Sequence, residues 1–187
     1  MSENVDGSKT IYSGICCAVG YNAPAASCAL RASLDNFSES DFKDRTGEPI
    51  LAAALMDEAR LWGSARLARW ARFAIGEALE PFDETQHAAI PIPIMLCVAG
   101  DDRPLGSADE RLRTMKEAEQ ALERPIPKGS IILSGGRAVL GMALAHANKM
   151  LTDNTKLSRV LVVGVDSYLN GPTIEHYFNA ERLLTPD

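Results

Sequence analysis

The chain lacks a long hydrophobic run, an excess of basic residues, a metal-type spacing of cysteines and a nucleotide-loop signature. Each absence removes a class of function. The apolar helical segment Ala138 to Leu151 is too short for a bilayer span and is interrupted by His146, Asn148 and Lys149. With 19 Lys and Arg against 25 Asp and Glu, the formal net charge is -6, which argues against a general nucleic-acid binder. Met1 to Lys9 is polar, is expected to be frayed, and has none of the charged-then-apolar order of a signal peptide. The four cysteines, Cys16, Cys17, Cys28 and Cys97, have no metal-ligand spacing, and the adjacent pair would point to opposite faces of a strand. They read as reduced thiols of a cytoplasmic protein, with no metal and no cofactor. There is no internal repeat or low-complexity tract, so residues 1–187 are expected to form one domain with a sizeable core.

What is present centres on Gly129 to Ser167. Ile131 to Leu133 is a short β-branched and apolar run, Gly135 and Gly136 permit a sharp turn, and Val160 to Val165 is a continuous apolar strand. Between them lies a helix whose apolar residues, from Ala138 through Leu151, cover nearly the whole circumference. A helix over a sheet needs only a stripe, so this one is expected to be covered on both sides, by its sheet and by a second layer. Small Gly141, Ala143, Ala145 and Ala147 would let another helix approach closely. The strand–helix–strand unit predicts a crossover in a parallel sheet.

The remaining segments follow in order. Ile11 to Val19 reads as a strand, and Asn22 with Pro24 starts a helix over Ala25 to Ser33. Asp35 to Pro49 is polar with a turn at Asp-Arg-Thr-Gly-Glu-Pro, and Ile50 to Met56 has no clear period. Ser64 to Leu79 is helical, burying Leu67, Trp70, Ala71, Ala74, Ile75 and Ala78. Arg66, Arg69 and Arg72 lie on another side, either a solvated face or a landing patch for an acidic partner. Ile90 to Ala99 is a strand entered through prolines, and Ser107 with Glu110 caps a charged helix, expected to be exposed, that runs to about Leu122. Pro172 to Ala180 reads as a short helix. This alternation predicts α/β layering with a mainly parallel sheet.

Ligands in such sheets bind beyond the carboxyl ends of the strands, which singles out Ser134, Gly135, Gly136 and Arg137. The helix N-terminus there could hold an anion or activate a nucleophile. Three readings stay open. Ser134 could be a nucleophile, but no spacing ties it to His87, His146 or His176 as a base. A nucleotide site would need Gly-x-Gly-x-x-Gly or a Gly-Lys-Ser/Thr loop, and neither occurs. The third reading is a non-catalytic scaffold.

Several stretches in order resemble the N-terminal half of the β-ketoacyl-acyl carrier protein synthases, of the thiolase-fold superfamily. Gly14-Ile-Cys-Cys-Ala-Val-Gly-Tyr-Asn-Ala-Pro is similar to their opening strand and turn. Ser-Gly-Gly-Arg-Ala-Val-Leu-Gly-Met-Ala resembles the turn and buried helix that carry their active cysteine. Arg159-Val-Leu-Val-Val-Gly-Val-Asp-Ser resembles their next strand, and Ala-Glu-Arg-Leu-Leu-Thr-Pro-Asp the stretch that follows later. The resemblance implies a thiolase-like αβαβα architecture of which this chain is the first half, with the buried helix packed against its counterpart in the C-terminal half. It also implies a homodimer through the edge strand near Ile131. The activity implied is a β-ketoacyl synthase-like acyl transfer on thioesters of acyl carrier protein or coenzyme A, in fatty acid or polyketide assembly. The pattern departs at the nucleophile: the cysteine's position falls on Leu133 with Ser134 beside it, and the family's histidines belong to the second half. Ser134 is then the candidate catalytic residue, with Gly135, Gly136 and Arg137 around the substrate. The alternative is a non-catalytic, chain-length-factor-like partner that keeps the fold without the chemistry.

Overall fold

The computed structural model describes residues 12–55, 61–83, 92–104, 107–123 and 125–183. Met1 to Lys9, His87 and the last four residues lie outside them, as do the side chains of Asp83 and Arg137. The architecture is α/β, built on a three-stranded parallel sheet in the order β4-β3-β5.

The middle strand, β3 (Ile94–Val98), is buried at all five positions. Because successive side chains alternate across a sheet, it feeds two separate cores. Ile94, Leu96 and Val98 join Ala71, Ile75 and Leu79 of α2 (Gly63–Asp83) on one face. Met95 and Cys97 join Val139, Ala143 and Ala147 of α4 (Val139–Asp153) on the other. A strand covered twice has no room for a polar side, which is why its sequence is unbroken apolar. It pairs with β4 (Ile131–Ser134), Val98 opposite Ser134, and with β5 (Leu161–Gly164), Cys97 opposite Gly164. Strand β4 is at one edge.

Helix α3 (Ala108–Leu122) begins where Ser107 accepts the Glu110 backbone N–H, the predicted cap. It is not wholly exposed as its charge suggests. It packs beside α2, burying Thr114 and Ala118, and the Thr114 hydroxyl turns back onto the Glu110 carbonyl. Two short helices also form near their expected starts, each with a proline in the first turn and an asparagine cap, of which Asn22 is the one the sequence predicts. In α1 (Ala23–Arg31) the cap is Asn22, and in α5 (Gly171–Asn179) it is Asn170, which accepts the Thr173 N–H at 2.9 Å.

Three further expectations need correction. Of the strand expected over Ile11 to Val19, Ile11 lies outside the described residues and the rest does not enter the sheet; residues 12–16 are not strand, and Cys17 and Gly20 form only an isolated bridge. The segment lies along α2 instead. Tyr12 meets Phe82 and Tyr21 meets Phe73 edge-on, and the Glu77 carboxylate accepts the backbone N–H groups of Ile15 and Ala23. Gly14 is required there, since a Cβ would stand 2.0 Å from the Ala74 carbonyl oxygen. Second, the polar stretch after α1 is a hairpin, β1 (Phe37–Lys43) antiparallel to β2 (Pro49–Ala53). Most of β1 is exposed, so no apolar alternation marks it in the sequence; its turn is held by Asp44, whose Oδ1 accepts from Thr46 and Glu48.

The third correction concerns α4. Cover on both sides is expected from its composition, but the described residues cover one. Val139, Ala143 and Ala147 are buried on the sheet, while Leu140, Met142 and Leu144 are 53%, 59% and 51% exposed. The small residues Gly141 and Ala145 are exposed beside them. One flank is in the core, and the other is an apolar surface facing outward.

Candidate functional site

Strand β4 ends at Ser134, and the chain reverses into α4 through Gly135 and a 3₁₀ turn over Gly136–Ala138. Gly136 sits at φ +59°, a left-handed conformation that side chains resist, so glycine at that position is a geometric need of the sharp turn. The loop after β3 lies close by: a Cβ on Gly100 would be 3.6 Å from the Gly136 nitrogen. Thus Ser134, Gly135 and Gly136 stand together at the carboxyl edge of the parallel sheet, the location predicted for them. The Arg137 side chain is not among those described.

Chemically this turn is bare. Leu133, in the position where the resemblance expects a cysteine, packs against the core cluster of Met95, Cys97 and Val139. Alternation along the strand then aims Ser134, half-buried, toward the opposite face of the sheet. Among the described residues no hydrogen bond reaches the Ser134 hydroxyl. His146 is exposed partway along α4, and His176 is exposed on α5 with its ring against Tyr177. His87 lies outside the described residues. The one buried thiol, Cys97, has its pKa pushed up by burial, which keeps it protonated and unreactive. No group of three His, Cys, Asp or Glu among the described residues could hold a metal ion. No helix among them is long and apolar enough to cross a membrane.

The same edge of the sheet carries a richer constellation on the side of α2 and α3. A cleft there has about 50 Å³ open to water-sized molecules and lies between the ends of β3 and β5. Arg66 from α2 and Arg103 from the loop after β3 reach into it from opposite sides and converge on the chain after β5. Arg66 donates to the Ser167 hydroxyl at 3.0 Å and to the Leu169 carbonyl. Arg103, only 7% exposed at its side chain, pairs with Asp166 and donates to the Ser167 carbonyl at 3.0 Å. Both guanidinium groups are held by stacking. Arg66 is bracketed by Trp62 and Trp70, at 5.7 and 5.0 Å, and Arg103 lies 4.2 Å from the centre of the Tyr168 ring. Burial pulls the Arg66 pKa below its ordinary value, as expected for a charge drawn out of water. Among the described residues no carboxylate pairs with Arg66; its partners are neutral oxygens.

This splits the arginine face predicted on α2. Arg66 turns inward to the cleft, Arg69 lies against Phe73, and Arg72 alone is in open solvent. The sequence signal for the cleft was therefore present but ambiguous: Trp-x-x-x-Arg-x-x-x-Trp sets an arginine one helical turn from an indole within α2 and four residues after the indole that precedes it. Nothing local in the sequence joins Arg66 to Arg103 or Asp166; the sheet does. The cleft does not include Ser134, which belongs to β4, on the other side of β3. Compared with protein-family models and with curated proteins, the chain finds no match.

Proposed function

We propose that the chain is a β-ketoacyl synthase-like unit that handles acyl thioesters on acyl carrier protein or coenzyme A. The observation that carries this reading is the strand–Gly-Gly–helix turn after Ser134 combined with the outward apolar flank of α4 directly behind it. Leu140, Met142 and Leu144 form a surface of the kind that soluble proteins cover, and the resemblance implies a second layer of the same fold as the cover. The edge position of β4 is compatible with the implied homodimer through the strand near Ile131. In an active form, the Ser134 hydroxyl would attack the thioester carbonyl, forming an ester while the thiol leaves with the serine proton.

A second reading has its own observation in favour. Leucine at position 133 and a serine with no base beside it among the described residues suit a non-catalytic partner that keeps the turn and drops the reaction. The two separate on one experiment. The protein is incubated with acyl-coenzyme A and with acyl carrier protein thioester, and its mass is read before and after peptide mapping. An acyl adduct on Ser134, lost in Ser134→Ala, establishes the transferase. Saturable thioester binding without any adduct establishes the partner. Neither binding nor adduct ends the acyl reading altogether.

A further inference from the structure

Around the arginine cleft, three helices begin. The wall includes Gly63 and Ser64, the first residues of α2, the first turn of α3 at Glu110 and Arg111, and Asn170, the cap of α5. At the α3 and α5 ends the first N–H groups are capped by Ser107 and Asn170, so what the three ends bring to the wall is the positive pole of each helix. Arginines 66, 103 and 111 line the same wall. Against these three arginines the wall sets two carboxylates, Glu110 and Asp166, so its lining is net positive on a chain of net charge -6.

We propose that this cleft binds a tetrahedral oxyanion, the phosphoryl group of free phosphate or of a phosphate monoester. The two carboxylates in the wall do not fill that role. Asp166 is engaged by Arg103, and the Glu110 carboxylate lies toward Arg113 at 3.5 Å. Arg111 is paired with Asp101 outside the wall. Arg66 is left as the one lining cation without an acidic partner among the described residues, held in place by two indoles rather than by a charge. A fork of donors fixed in advance suits a phosphoryl group better than a flexible ammonium would. The free space is that of about four waters or one small oxyanion, too little for an acyl chain. Position agrees as well, since the carboxyl ends of parallel strands are where open α/β sheets take their ligands. The proposal is independent of acyl transfer at Ser134.

The site carries its own reporter, because Trp62 and Trp70 are the only tryptophans in the chain and both flank Arg66. The protein is titrated with inorganic phosphate and, separately, with methyl phosphate, at ionic strength held constant with sodium chloride. Tryptophan emission and the phosphorus NMR line width of the titrant are read together. Saturation in at least one readout is expected, with Arg66→Gln weakening it by about tenfold or more, the scale of a lost charge-assisted hydrogen bond. Arg111→Gln, at the more open side of the wall, should weaken it by a few-fold with an unchanged circular dichroism spectrum, and it decides the matter if Arg66→Gln does not fold. Tighter binding of methyl phosphate points to an ester as the occupant, and equal binding to free phosphate. Absence of saturation in both readouts through tens of millimolar, or undiminished affinity in the folded variants, overturns the site.

Discussion

Ala143 and Leu144 are adjacent in sequence but about 100° apart around α4, and one is fully buried where the other is half-exposed. An aspartate at each position should therefore have very different consequences. At Ala143, 0% exposed among Met95, Cys97 and Val139, a carboxylate has no partner and no water. Keeping it neutral at pH 7 requires a pKa raised by roughly three units, or about 4 kcal/mol, and forcing the larger side chain into the packed layer adds about 1–3 kcal/mol. That is on the order of the whole stability of a domain. At Leu144 the loss is about half the burial of a leucine, near 1 kcal/mol, plus about 0.5 kcal/mol of helix propensity. Urea unfolding followed by circular dichroism, with sedimentation in parallel, measures both. Ala143→Asp should be unfolded at pH 7, and Leu144→Asp should be folded and weakened by about 1.5 kcal/mol. Similar losses at the two positions would refute the one-sided packing of α4. A loss of several kcal/mol at Leu144 accompanied by a change in mass would show that the outer flank is covered in solution.

Three further outcomes follow from single contacts. In the native protein, thiol reagents should modify the exposed Cys17 and Cys28 first, while Cys97, buried in β3 with a raised pKa, reacts only after unfolding; mass mapping of a timed reaction reads the order. Gly14→Ala should detach the segment from α2, because its Cβ has no space beside the Ala74 carbonyl, and hydrogen exchange at Ile15 and Ala23 should rise to unprotected rates. The hairpin turn should loosen in acid. The Thr46 hydroxyl bond does most to lower the Asp44 pKa; desolvation opposes it, and the Glu48, Thr46 and Gly47 backbone N–H groups lower it further. A lowered folded value means the stabilisation is complete above the ordinary carboxylate range and lost as pH falls through the folded pKa. Exchange of the Thr46 and Glu48 amides against pH should show this step, and Asp44→Asn should abolish it.

Elements whose cause is local were legible without coordinates. The Asn22 and Ser107 caps, the Gly135-Gly136 turn and the apolar β3 and β5 each depend on neighbours within a few residues, and they fall where the residues say. The hairpin was not legible, because an exposed strand has no buried face to write a period into the sequence. Nor was the first segment: Ile11 to Val19 has the composition of a strand, yet its described residues, from Tyr12 on, stay outside the sheet. Ile15 binds Glu77, 62 positions away.

At the site the division is the same. Sequence alone determined that a short strand from Ile131 runs past Ser134 into a glycine turn that launches a helix, and at Gly136 backbone sterics demand glycine. It also showed a helix apolar over nearly its whole circumference. Only the tertiary structure decided which flank of that helix is covered, that Leu133 belongs to the core, and that Arg66 and Arg103 meet at Asp166 and Ser167. The reason is physical: local propensity acts over one turn of chain, whereas a cleft forms where a parallel sheet sets the ends of distant strands side by side.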